Sequence, residues 1–166
     1  MIRKQIDKWL KAGVIENGQV EYPESGTPQG GSISPLLSNI YLHYVLDEWF
    51  NETIKPLLQG GSMLIRYADD FLICFSSKED AVKVMEVLPK RLDKYGLMLH
   101  PDKSKLVDLT NRRGDKPGTF DFLGFTHYMG KSLKGYPILK RKTSSKKLRN
   151  ALKRMYQWLR GHKHLR

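Results

Sequence analysis

The chain has 166 residues and a formal net charge of +12, from 29 Lys and Arg against 17 Asp and Glu. Hydrophobic residues make up 40% and aromatics 10%, too many for a disordered chain and enough for one domain core. A single cysteine, Cys74, excludes an internal disulfide and a cysteine-based zinc module, and no apolar run approaches the ~20 residues of a membrane span.

Ile2, Ile6, Trp9 and Leu10 share one face at helical spacing, and Gly13 stops that helix. The segment is amphipathic and charged, unlike a signal peptide, so the expected compartment is a reducing cytoplasm. Val20 to Tyr22 reads as a short strand, and residues 23–31 (PESGTPQGG) as a Pro/Gly-rich loop. Ser32 or Ser34 caps the next helix, with Pro35 in its first turn. Leu36, Leu37, Ile40, Tyr41, Tyr44 and Val45 mark that helix's apolar face to about Phe50. Residues 51–61 then form a connection.

Met63 to Arg66 and Phe71 to Phe75 are two short apolar strands around Tyr67-Ala68-Asp69-Asp70, which predicts a β-hairpin with two acids at its tip. Ser77 and Asp80 form a capping pair for a helix with apolar positions Ala81, Val84, Met85, Leu88, Leu92 and Tyr95. Pro89 is expected to kink or split it, and Gly96 to end it. Further strands are expected at Leu97 to Leu99, Lys105 to Leu109, Phe120 to Tyr128 and Tyr136 to Leu139. A basic helix follows from about Ser144 to Leu159, with the stripe Leu148, Leu152, Met155 and Leu159. The fold class is α+β or α/β.

Charge is unevenly spread. Residues 1–121 hold 16 Lys and Arg against 17 acids, whereas residues 122–166 hold 13 Lys and Arg and no acid. A basic end of this kind suits a polyanion. The five histidines show no metal-ligand spacing.

Asp69 and Asp70 are the sharpest chemical feature. Two adjacent carboxylates repel each other unless something positive sits beside them. A divalent cation such as Mg²⁺ takes one or two carboxylates plus waters and substrate phosphates. Arg66 flanks the pair and either balances it or lies on the surface. Cys74 reads as buried filler.

In this context the segment RYADDFLICF resembles the catalytic YxDD box of reverse transcriptases. GTPQGGSISPLLSNIYLHYVLDEWF (Gly26 to Phe50) resembles the nucleotide-binding block of group II intron-encoded reverse transcriptases, the maturases. GLMLHPDKSKL resembles the block carrying a lysine, here Lys103, and FDFLGF (Phe120 to Phe125) resembles the primer-grip block. The four occur in the family's order.

The resemblance implies an α+β polymerase palm, a ferredoxin-like sheet with helices, over residues 1–139. It also implies a basic start of a thumb over 140–166. Asp69 and Asp70 would bind catalytic Mg²⁺ (or Mn²⁺), with Lys103 as general acid or charge stabiliser for departing pyrophosphate. Pro28, Gln29, Gly30, Tyr67 and Ala68 would bind the incoming dNTP. Phe122, Leu123, Gly124 and Phe125 would place the primer. Lys140, Arg141, Lys142, Lys146, Lys147, Arg149, Lys153 and Arg154 would contact nucleic-acid backbone. The implied partners are an RNA template, a DNA primer and group II intron RNA, with no membrane.

The family's palm carries another carboxylate on an earlier strand. The only aspartate before residue 26 is Asp7, which falls in a helical pattern. The sequence therefore reads as a palm fragment lacking its first strand, with little or no polymerase activity alone. The alternatives are a non-catalytic RNA-binding remnant and a CRISPR-associated or other bacterial reverse transcriptase.

Overall fold

Side-chain alternation in residues 62–75 decides which face of a hairpin packs into a core. In the computed structural model, which describes residues 2–11, 14–16, 19–21, 33–110 and 117–163, three antiparallel sheets accompany the helices. The chain divides into two units, Met1–Leu99 and His100–Arg166.

The first unit begins with helix α1 (Ile2–Leu10) and a small sheet of β1 (Val14–Glu16) and β2 (Gln19–Glu21). Asp7 is exposed on α1 and pairs with Lys11 at 2.8 Å. Helix α2 (Ser34–Leu42) has Ile33 at its N-cap and Pro35 in its first turn. It runs directly into a π-helical segment, His43–Ile54, and a short 3₁₀ turn, Lys55–Leu57. The helical path is thus longer than the sequence pattern predicts. Burial starts only at Val45 and continues through Leu46, Phe50 and Ile54. That spacing of four to five residues suits the wider i→i+5 turn. The predicted face at Leu36, Ile40, Tyr41 and Tyr44 is exposed instead.

Strands β3 (Ser62–Tyr67) and β4 (Asp70–Phe75) form the expected hairpin, each one residue longer at the turn than predicted. Opposite residues share a face, so Leu64↔Ile73 and Arg66↔Phe71 point one way, and Met63↔Cys74, Ile65↔Leu72 and Tyr67↔Asp70 the other. The first face packs Leu64, Phe71, Ile73 and Phe75 against the π-helical segment and helix α3 (Lys78–Asp93). Their shared core holds Val45, Leu46, Phe50, Ile54, Val84, Leu88 and Leu92. Cys74 lies on the outer face and is exposed, which corrects its reading as core filler. Among the described residues no further strand pairs with this hairpin.

Ser77 caps α3, its Oγ accepting the Asp80 N–H at 3.2 Å. Asp80 is only 2% exposed and turns inward, where its Oδ2 accepts the Gly60 N–H at 2.8 Å. A Cβ on Gly60 would lie 2.5 Å from Ser76 Oγ, so a side chain there would force that hydroxyl to turn away. Asp80→Ala is expected to cost about 1–3 kcal/mol by stranding that N–H, as a lower midpoint in urea unfolding. The helix passes through Pro89 to Asp93, so the proline does not split it. Leu88 and Leu92, on either side of the proline, both bury in the same core, and tertiary packing of this kind outweighs local propensity. Gly96 ends the helix at φ +68°. There Leu97 N–H bonds Leu92 O at 3.0 Å and Gly96 N–H bonds Asp93 O at 2.9 Å, a paired C-terminal closure.

Leu97–Leu99, at the end of the first unit, and Lys105–Leu109, in the second, are irregular rather than strands. The expected single strand Phe120 to Tyr128 is two: β5 (Thr119–Phe122) and β6 (Phe125–Lys131), joined by Leu123 and Gly124. Strand β7 (Pro137–Thr143) completes that sheet. Helix α4 (Ser145–His162) follows, capped by Ser144. No described residue of α4 is buried, its apolar stripe included. Among the described residues no helix is long and apolar enough to cross a membrane.

Candidate active site on the acidic hairpin

The β3–β4 turn collects four of the predicted site residues. Tyr67 and Asp70 are cross-strand partners, and Ala68 and Asp69 form the two-residue turn between them. Because Asp70 pairs with Tyr67 on the outer face, its carboxylate is directed away from the helices. Both acids and Tyr67 are exposed. Ala68 is held at φ +54°, a region that disfavours a residue with a Cβ and needs outside support.

That support comes from Arg66 on the inner face. Its Nε donates to Asp47 Oδ1 at 2.7 Å and its Nη2 to Asp47 Oδ2 at 2.6 Å. Its Nη1 donates to Asn39 Oδ1 at 2.8 Å and to the carbonyl oxygen of Ala68 at 2.9 Å. The bonds to Asp47 raise the Arg66 pKa further, against the opposing effect of burial. Arg66 therefore does not balance Asp69 and Asp70, as its place in the sequence suggests. Its register sends it to the opposite face, where Asp47 neutralises it. Asp47 and Asn39 are not among the expected site residues. The available signal is an acid inside the apolar run YVLDEWF. His43 Nδ1 lies 3.6 Å from the same Asp47 carboxylate.

The other predicted residues are not part of this turn. Pro28, Gln29 and Gly30 fall outside the described residues. Lys103 belongs to the second unit, in an exposed turn where its N–H bonds His100 O at 3.2 Å. Phe122, Leu123, Gly124 and Phe125 form the β5–β6 hairpin turn, with Leu123 at φ +50° and Gly124 at φ +81°. Positive φ at both central residues matches the twist of a tight hairpin. For leucine that geometry is strained, as at many ligand-contacting turns. Ser144 N–H bonds Gly124 O at 3.1 Å, and the Lys147 side chain lies across Gly124 where a Cβ would stand. This joins the turn to the start of α4.

Lys140, Arg141 and Lys142 are exposed on β7. Arg141 sits 5.7 Å from the Phe125 ring centroid and Lys142 5.5 Å from that of Tyr128. Lys146, Lys147, Arg149, Lys153 and Arg154 are exposed on α4. Tyr156 and Trp158 are also exposed, and Trp158 stacks on His162 at 4.5 Å.

The donor chemistry of the acidic turn fits a hard divalent cation. It offers carboxylate oxygens only, open to solvent, with room for the waters and substrate oxygens that Mg²⁺ retains. Among the described residues, no cluster of three or more His, Cys, Asp or Glu could hold a metal ion, so these two carboxylates are what the described site supplies.

The family model for reverse transcriptase (RNA-dependent DNA polymerase) matches residues 1–127, a span that includes the acidic turn and the Leu123–Gly124 turn. The chain belongs to the reverse transcriptase family. This reverse transcriptase chain is 66% identical over 38 residues to the group II intron-encoded protein LtrA of Lactococcus lactis subsp. cremoris. That match covers 23% of the chain and 6% of LtrA. It is 30% identical to the telomerase reverse transcriptase of Takifugu rubripes over 57% of the chain and 8% of that protein. It is 35% identical to protein YkfC of Escherichia coli strain K12 over 60% of the chain and 33% of YkfC. The chain thus spans a minor part of each of these relatives.

Proposed function

We propose that this chain carries part of the palm of an RNA-directed DNA polymerase of the group II intron type. Its implied location is the cytoplasm, and its partners an RNA template, a DNA primer and group II intron RNA. The observation that carries the reading is the exposed Asp69–Asp70 pair on a braced hairpin turn, in a chain of the reverse transcriptase family. In this reading residues 1–139 are palm and 140–166 begin the thumb.

Asp69 and Asp70 would hold the Mg²⁺ (or Mn²⁺). When bound, the cation supplies charge stabilisation for the attacking and leaving oxygens of nucleotidyl transfer. Tyr67, Ala68, Pro28, Gln29 and Gly30 receive the dNTP. The primer 3′ hydroxyl gives up its proton to solvent as its oxygen forms a bond to the α-phosphorus, and the bond from that phosphorus to the pyrophosphate oxygen breaks. Lys103 donates a proton to, or stabilises charge on, that leaving group. Phe122 to Phe125 hold the primer, while the lysines and arginines of β7 and α4 bind phosphates without reading sequence.

The test is extension of a DNA primer on an RNA template by the whole chain with Mg²⁺ and dNTPs. Two carboxylates are few for a two-metal centre, so little or no extension is expected from this chain alone, and any that occurs should be template-dependent and lost in Asp70→Ala. Extension that survives Asp70→Ala contradicts the assignment. Robust extension that is lost in Asp70→Ala would show that these two carboxylates suffice.

Charge-neutralising Lys146, Arg149, Lys153 and Arg154 to glutamine should flatten the dependence of RNA affinity on salt. The log–log slope is expected to fall by about 0.7–0.9 for each phosphate that is no longer neutralised. An unchanged slope, read from binding titrations at several salt concentrations, removes α4 from the binding surface.

A further inference from the structure

The Asp47–Arg66 pair does more than join a strand to a helix. Arg66 uses both edges of its guanidinium at once. Nε and Nη2 grip the Asp47 carboxylate from the π-helical segment, and Nη1 bridges Asn39 of α2 to the carbonyl oxygen of Ala68. The planar fork fixes the directions of these bonds relative to one another. Ala68 is the turn residue in the disfavoured left-handed region, and its carbonyl belongs to the peptide plane that leads into Asp69. Holding that oxygen sets the backbone from which both carboxylates project. The register keeps the cation on Arg66 on the inner face, while Asp70 faces outward.

We propose that Arg66, clamped by Asp47 and Asn39, is a positioning residue that holds the Ala68–Asp69 turn in the conformation in which Asp69 and Asp70 bind a divalent cation together. The inference rests on the reading of these two acids as cation ligands. A residue that orients ligands and a residue that merely contributes charge have opposite signatures. Arg66 is cationic, so removing its charge without changing the turn would strengthen cation binding. Removing an orienting hydrogen bond weakens it, commonly by 10–100-fold.

The experiment is a Mn²⁺ titration of the whole chain, with free Mn²⁺ read by electron paramagnetic resonance and thermal unfolding followed in parallel. Asp69→Asn combined with Asp70→Asn is the control on the underlying reading. If the double variant binds Mn²⁺ like the parent chain, the acids are not the ligands, whatever Arg66 does. If binding is lost there, Arg66→Lys and Arg66→Gln are each expected to bind about tenfold more weakly. Amide exchange at Asp69 and Asp70 should quicken while α3 stays protected. Equal or tighter Mn²⁺ binding in both variants overturns the proposal. Asn39 lies on the exposed rim, so Asn39→Ala serves if the Arg66 variants fail to fold. It should weaken binding in the same direction, and unchanged affinity overturns the proposal equally.

Discussion

Replacing Asp69 and Asp70 together by asparagine is expected to abolish divalent-cation binding at the β3–β4 turn, a loss of about a thousandfold. The estimate is Coulombic. A unit charge pair about 4 Å apart in water is worth about 1 kcal/mol, and a dication facing two carboxylates makes four such pairings, so about 4 kcal/mol disappears. The fold should be almost untouched, because both acids are exposed, Asp70 lies on the outer face of the hairpin, and asparagine preserves their size. Isothermal titration with Mn²⁺ beside a urea unfolding curve separates the two effects. Loss of binding with an unchanged unfolding midpoint is the expected pair of results.

Phe50→Ala is expected to act on the fold first. Phe50 is fully buried, at 0% exposure, and lies in a core with Ile54 and Val84, against Trp49, Leu58, Leu64, Ile73 and Phe75. Truncating a phenylalanine in such a place costs about 3–5 kcal/mol through lost transfer energy and an unfilled cavity. Set against a typical domain stability of about 5–15 kcal/mol, that is a large fraction of the whole. Met98→Ala, at 91% exposure, is the matched contrast and should stay within about 0.5 kcal/mol. Because the inner face of the hairpin rests on this same core, Phe50→Ala should also lower Mn²⁺ affinity as the fold loosens, which Met98→Ala should not.

What the sequence disclosed divides along a physical line. The hairpin around Asp69 and Asp70 is legible because strand alternation and a break at polar residues are local signals. So are the Ser77 cap, the Gly96 stop and the basic helix after Ser144. The split of residues 120–128 into two strands is not, because Leu123-Gly124 lacks the Asn-Gly or Asp-Gly pair that usually announces a tight turn. Pro89 misleads for the opposite reason: a strong local signal gives way to burial of Leu88 and Leu92. Helical structure through Ile54 escapes a pattern of 3.6 residues per turn, because the π-helical segment repeats more widely.

The site is legible in its acids and hidden in its brace. Tyr67 to Asp70 are contiguous, so the turn shows directly in the sequence. The partnership of Arg66 with Asp47 and Asn39 spans 19 and 27 residues, and nothing local identifies it. It needs the register that turns Arg66 inward and the helix that brings Asp47 to meet it. Sequence proximity suggests the wrong partner, since residues adjacent in a strand face opposite sides.

The central claim is that the Asp69–Asp70 turn holds a divalent cation at a primer terminus. Its most direct measurement replaces Mg²⁺ with Fe²⁺ in a complex of the chain with an RNA template and a DNA primer, and maps hydroxyl-radical cleavage of the primer. Cuts concentrated at the primer 3′ end, absent when Asp69 and Asp70 are both asparagine, are the predicted result. Cleavage spread along the duplex, or unchanged in the double variant, would contradict it.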